Sequence, residues 1–310
     1  MGYAARLAST VREAGRVCGC MLLSGGVETS FIAYSLDEPA RVKAVTVDLG
    51  GSDVRYASMV ASRLGMDHLV VEPSEDMLEG ALREALRILA TLDPVEAAAG
   101  AVHVLSVTAA RRAGCKCIIS GDGGDELFLG YTFLHSLPPN GMREWIARMA
   151  ERAWMPTGYI AGYYGLRALM PLYSWTAKSI ALQAPLGCLV GEYNGRIYGK
   201  LFLRRHLESM GAPWDVAWRP KAPVTSGSGV LGVLEKLAGR HDMRGMAARL
   251  GLKRYTPMHD LLASLYIQEG LNPVPRCVWC GEPCSNCGRC TSHGGYCRFC
   301  GAYKGTLHTG

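Results

Sequence analysis

No apolar run in the 310-residue chain reaches the ~18 residues that a bilayer crossing needs, so no membrane span is expected. The stretch from Met1 to Val17 is amphipathic and charged and lacks the apolar segment of an export signal. A cytoplasmic protein with no membrane partner is the expectation. The sequence has no internal repeat and no low-complexity tract. Charged residues are scarce at 19%, while hydrophobic residues make up 49%, which excludes extensive disorder and provides for a sizeable core. The excess of basic residues is modest, a net charge of +6. That is too little for a dedicated nucleic-acid coat, but it suits a polyanionic ligand such as a nucleotide or an RNA.

Short β-branched or apolar runs alternate with helical patterns over the first part of the chain. Residues 3–17 read as a helix, and Cys18 to Leu23 as a buried strand that ends in Ser24-Gly25-Gly26. Further strands are expected at Val42 to Asp48, His68 to Val71 and Cys115 to Ser120, with helices over 27–36, 53–64, 74–92 and 97–113. Such alternation predicts an α/β fold, a doubly wound parallel sheet with ligands bound at the carboxyl ends of its strands. From 142 to about 265 the chain reads mostly as helices. The domain expectation is a nucleotide-binding domain over 1–135, a helical substrate lobe over 136–271 and a cysteine-rich module over 276–310. The last is too short for a conventional core and needs a metal to fold.

Ser24-Gly25-Gly26-Val27-Glu28-Thr29-Ser30 follows a strand and opens a helix. Its glycines, free helix N–H groups and hydroxyls suit a phosphate. The Gly-Lys-Ser/Thr ending of a Walker A loop is absent. Taken alone, the seven residues suit a phosphate cradle and a plain glycine turn equally. Ser120-Gly121-Asp122-Gly123-Gly124-Asp125-Glu126-Leu127-Phe128-Leu129-Gly130-Tyr131 shifts that balance. Two glycine turns on one sheet edge can enclose a nucleotide, and acidic side chains between them can hold Mg²⁺.

With these motifs the chain resembles the synthetase domain of the asparagine synthetases, within the N-type ATP pyrophosphatases of adenine nucleotide alpha hydrolase-like fold. Other stretches agree in order: Lys43 to Val71, Leu92-Asp93-Pro94, Gly199 to Arg204, and Val216-Ala217-Trp218-Arg219-Pro220-Lys221. The resemblance implies that Ser24, Gly25, Gly26, Thr29 and Ser30 hold pyrophosphate, and that Leu22, Val47, Ser120 and Gly121 contact adenosine. It implies Mg²⁺ on Glu28 and Asp125, with Lys200 and Lys221 stabilising the leaving pyrophosphate. Residues 196–221 carry six Lys or Arg against Glu208 and Asp215, which suits such a leaving group.

Three departures stand out. Glu28 occupies a position where the family usually has aspartate. Arg167 aligns where the family has a glutamate near the reacting carboxylate, and a permanent cation there cannot act as a base. The chain begins at the synthetase domain, so ammonia is expected free or from a separate glutaminase.

Of twelve cysteines, seven fall between Cys277 and Cys300. Cys277-x₂-Cys280 and Cys297-x₂-Cys300 are separated by sixteen residues, a zinc spacing. Cys284, Cys287 and Cys290 form a second set that suits an iron–sulfur cluster, or a second zinc with His293, although His293 reads more simply as a loop residue. Cys18, Cys20, Cys115 and Cys117 read as buried small hydrophobes on central strands, with a sulfur-relay role as the alternative.

Together these readings predict an ATP-dependent, AMP-forming carbon–nitrogen ligase that adenylates a carboxylate, aspartate favoured, and transfers it to ammonia. One alternative is a tRNA-modifying enzyme with a zinc or iron–sulfur module. The other is a non-catalytic ATP-binding regulator.

Overall fold

The computed structural model describes residues 2–240, 243–272, 284–289, 296–303 and 306–307. Its elements run α1 (Tyr3–Val17), β1 (Cys20–Leu22), α2 (Val27–Ser35), β2 (Lys43–Val47), α3 (Asp53–Leu64) and β3 (His68–Val71). Then come α4 (Glu75–Leu89), α5 (Pro94–Arg112), β4 (Cys117–Ile119), α6 (Gly124–Leu127), α7 (Pro139–Arg152), α8 (Pro156–Tyr163) and β5 (Arg167–Leu169). After these lie α9 (Trp175–Gln183), α10 (Leu186–Leu189), β6 (Val190–Tyr193), β7 (Arg196–Gly199), α11 (Leu201–Ser209) and α12 (Trp214–Ala217). The remainder is α13 (Val224–Gly227), α14 (Val230–Arg240), α15 (Met246–Arg249), α16 (Pro257–Gln268), β8 (Ala302–Tyr303) and β9 (Thr306–Leu307). No single helix among the described residues is long and apolar enough to cross a membrane.

Compactness divides the chain into two units. The first comprises Met1–Val47, Ser52–Val71 and Ser106–Pro223; the second comprises Asp48–Gly51, Glu72–Leu105 and Val224–Gly310. The first holds a sheet of order β3-β2-β1-β4-β5, parallel throughout. This is the expected α/β architecture. The order reverses between β1 and β4, so the carboxyl ends of these strands open the crevice where such sheets bind ligands. Met21 and Ile119 are fully buried across that seam, in a core that also takes Leu7, Val11, Phe31, Ile32 and Phe128.

The chain beyond 142 is less helical than its pattern suggests. β5 joins the main sheet, and β6 and β7 form an antiparallel hairpin in register Tyr193↔Arg196. The two residues between them, Asn194 and Gly195, have φ of 50° and 75°. Asn-Gly is the preferred pair for a two-residue hairpin turn, a signal overlooked among helical patterns.

The four strand cysteines are not free hydrophobes. Cys18 is disulfide-bonded to Cys117 and Cys20 to Cys115, with Cα separations of 5.7 and 6.1 Å. Both bonds lie at the amino-terminal ends of β1 and β4, the far end from the glycine turns, which removes the basis for a sulfur relay into that crevice. They close nearly the same loop, of 99 and 95 residues. In the chain-entropy picture such a loop stabilises by up to ~4.7 kcal/mol, but a second nested bond restricts little that the first leaves free. Denaturant unfolding should therefore be strongly non-additive. Cys18→Ala/Cys117→Ala and Cys20→Ala/Cys115→Ala each lose little, and the quadruple variant loses most of the total. Equal and additive losses would contradict the shared-loop account.

Candidate active site

The two glycine turns meet at the seam between β1 and β4. Gly25 has φ of +66° and lies so close to Tyr56 of α3 that a Cβ would overlap its backbone. Within the loop, Ser24 N–H donates to Thr29 Oγ1 at 3.3 Å, and Gly26 N–H donates to Ser24 Oγ at 3.2 Å. Ser24 and Thr29 thus brace the loop, and no side chain caps the N-terminus of α2. Ser30 is fully buried and its hydroxyl has no hydrogen-bond partner among the described residues. Gly121 abuts this loop: a Cβ there would sit 3.0 Å from Glu28 Cβ and 3.0 Å from Thr29 Cγ2. Leu22, Val47 and Ser120 stand at or just beyond the carboxyl ends of β1, β2 and β4, three neighbouring strands. The residues expected to grip phosphate and adenosine are therefore brought to one edge of the sheet.

Charge is concentrated at the same edge. Lys200, 2% exposed, forms ion pairs with Glu28 and with Asp125 Oδ1, the latter at 2.7 Å. Lys221 Nζ donates to Asp125 Oδ2 at 2.7 Å. Burial pushes the Asp125 carboxyl up, but the two ammonium groups outweigh it and hold the group below the usual carboxylate range. Burial likewise lowers Lys221, and Asp125 and Glu28 more than reverse this. Beside them Glu126 is pushed up to about 7 by burial and by Asp125, while Tyr131 donates to its Oε1 at 2.6 Å.

The hairpin delivers Lys200 to this cluster. Lys200 takes up a left-handed φ of 57°, uncommon for a residue with a side chain, and its N–H donates to Phe128 O at 2.8 Å. Gly130 leaves room for it, since a Cβ there would overlap both the Asp125 carboxylate and Lys200 Cε.

A model of the family described as "Asparagine synthase" matches residues 3–186. The chain belongs to the asparagine synthase family. It is 28% identical over 299 residues to asparagine synthetase B [glutamine-hydrolyzing] of Escherichia coli (strain K12), covering 86% of this chain and 53% of that protein. It is also 27% identical over 232 residues to asparagine synthetase [glutamine-hydrolyzing] of Gallus gallus, covering 69% of this chain and 40% of the relative. The Homo sapiens protein of the same name is 28% identical over 229 residues, 68% of this chain and 40% of the relative. The chain thus spans about half the length, or less, of these family members.

Arg167, one of the expected departures from the family, opens β5 opposite Cys117 and is exposed, at the end of the strands away from the two glycine turns. Glu28, the other substitution, reaches Lys200 despite its extra methylene.

In the second unit the described cysteines come together as one set. Cys297 and Cys300 join Cys284 and Cys287, and the four sulfur atoms lie within 4.8 Å of one another. Cys277, Cys280, Cys290 and His293 lie outside the described residues. The observed pairs are both Cys-x₂-Cys-Gly turns. Gly288 and Gly301 have φ of +69° and +68°, and each N–H donates to the first cysteine's carbonyl at 2.8 Å. The two equivalent turns make a symmetric set of thiols.

The turns are fastened to their unit. Leu92 N–H donates to Phe299 O at 2.5 Å and Thr91 Oγ1 to Arg298 O at 2.6 Å. His259 Nε2 lies 3.2 Å from Cys300 O, and the Asn286 side chain bonds both backbone groups of Arg254.

Substituting Gly130→Ala should expel Lys200 from the carboxylate pair and weaken MgATP binding by an order of magnitude or more, read by calorimetric titration. Unchanged affinity would show that the pocket does not need Lys200 where it stands.

Proposed function

We propose that the chain activates a carboxylate with MgATP and converts it to an amide, in the manner of asparagine synthetase, with aspartate as the favoured substrate. The observation that supports this best is the Glu28–Lys200–Asp125–Lys221 cluster, set against two glycine turns at the switch point of the sheet. Ser24, Gly25, Gly26, Thr29 and Ser30 bind the β- and γ-phosphates. Leu22, Val47, Ser120 and Gly121 border the adenosine. Glu28 and Asp125 offer the hard oxygen donors that Mg²⁺ prefers, and the ion bound there would screen phosphate charge.

The lysines are neutralised by these carboxylates. Facing a triphosphate, Lys200 and Lys221 carry their charge to the leaving pyrophosphate, where fixed cations stabilise the transition state. The carboxylate oxygen attacks the α-phosphorus and the bond to the pyrophosphate breaks. Ammonia then attacks the acyl carbon, AMP departs and one proton is lost. AMP leaves far more readily than hydroxide, which is the reason for activating first.

The four thiols fit zinc: a soft, symmetric sulfur set closed on itself, suited to a structural rather than a catalytic ion. Zinc held by Cys284, Cys287, Cys297 and Cys300 would staple the module. Among the described residues, two of the module's cations are engaged within the unit, which lends little support to RNA binding. Arg298 pairs with Glu96 at 3.3 Å, and Arg289 stacks on Phe299 at 4.0 Å while donating to Leu250 O.

Two measurements test this reading. Aspartate should support ATP–pyrophosphate exchange, and Lys221→Met should lower its rate ~100-fold or more, the usual scale for losing a fixed transition-state charge. No exchange with aspartate or with any other amino acid would sink the ligase reading. For the metal, mass spectrometry of the purified protein should find zinc. Cys284→Ser/Cys300→Ser should remove one equivalent and lower the melting temperature, and an unchanged metal content would refute the tetrathiolate site.

A further inference from the structure

Two arginines are buried beside the lysines, Arg204 at 3% and Arg219 at 4% exposure. Removing a guanidinium from water is costly unless every donor is matched. Arg204 is matched almost wholly by backbone. Its Nε donates to Gly199 O at 2.9 Å, and its Nη1 donates to Ala217 O at 3.0 Å and to Arg219 O at 2.9 Å. Its cation also lies 4.7 Å from the Tyr198 ring centroid. Among the described residues no carboxylate forms an ion pair with it, and burial lowers it to about 10.

Arg219 reaches the other way. Nη1 donates to Ser24 O at 2.8 Å, and Nη2 donates to Ser52 Oγ at 2.9 Å and to Asp53 Oδ1 at 2.6 Å. The guanidinium lies 4.1 Å from the centroid of Tyr56, the ring behind Gly25.

The acceptors are ordered in a telling way. Gly199 immediately precedes Lys200, and Arg219 lies two residues before Lys221. Ser24 opens the phosphate loop. Each arginine therefore joins two segments of the site that are distant in sequence, and Arg219 is acceptor in one link and donor in the next.

We propose that Arg204 and Arg219 form a brace of positioning residues that fixes the two lysines in register with the phosphate loop. Arg204 ties the Lys200 turn to the Lys221 segment, and Arg219 ties that segment to Ser24. Neither guanidinium has a donor assigned to the nucleotide, so the brace acts through the groups it holds. The proposal rests on the ATP reading above and adds residues that reading does not use.

The test compares MgATP with AMP, which shares the adenosine and the α-phosphate but lacks the pyrophosphate. Calorimetry on the full chain is run for the wild type, Arg204→Met, Arg204→Lys, Arg219→Met and Arg219→Lys, with melting temperatures alongside. Loss of charge-assisted hydrogen bonds predicts that the Met variants bind MgATP about 10- to 100-fold more weakly. AMP affinity should stay within about twofold, since few of the braced groups face it. Lysine restores charge but not the fork, so the Lys variants should fall between.

Equal weakening of MgATP and AMP, tracking a fall in melting temperature, would reduce the arginines to general structural supports and overturn the brace. Unchanged MgATP affinity in folded Met variants would overturn it too. If a Met variant does not fold, its Lys counterpart decides by the same ATP-to-AMP ratio. A wild type that binds MgATP no more tightly than AMP would bring down the ATP reading itself, and the brace with it.

Discussion

The site is organised around one buried ammonium held between two carboxylates. Lys200 is almost sealed from water, and a lone charge there would be prohibitively desolvated. Glu28 comes from the first glycine turn and Asp125 from the second, so solvating Lys200 requires both turns to be in place. A buried ion pair adds little to stability when set against an apolar replacement, and breaking one is expensive. Such a contact specifies an arrangement more than it strengthens a fold. Here the arrangement it specifies is the closure of two glycine turns around a positive charge.

Much of this was legible in the sequence. The alternation of β-branched runs with helices gives the parallel sheet, and the short runs at 20–22 and 117–119 become its two central strands. The glycine turns were visible because a strand followed by Ser-Gly is a local signal. The ion pairs were not, because Glu28 and Lys200 are 172 positions apart and neither pattern points to the other. The hairpin of β6 and β7 escaped because its Asn-Gly turn sits among helix-like neighbours. The disulfides escaped because a buried half-cystine has the same composition signature as a buried hydrophobe.

In the cysteine module the sulfurs brought together among the described residues belong to Cys284, Cys287, Cys297 and Cys300, while Cys277 and Cys280 of the zinc-like spacing lie outside those residues. The two observed pairs share one backbone conformation. Each is followed by a glycine that takes positive φ and turns its N–H back to the first cysteine. The rest of the unit holds these turns, with Asn286, His259 and the Thr91–Leu92 backbone as hydrogen-bonding partners.

The hairpin that carries Lys200 behaves as a ruler. Val190 faces Gly199 at its open end, and a two-residue turn closes the other, so the number of residues between them sets where the lysine emerges. Adding one residue to β7 would turn every following side chain to the opposite face and aim the ammonium away from its carboxylates. Side-chain chemistry along the outer face, where Ile197 is exposed, is free to drift. The length of the hairpin is not, and insertions should be tolerated at many loops of this chain before they are tolerated there.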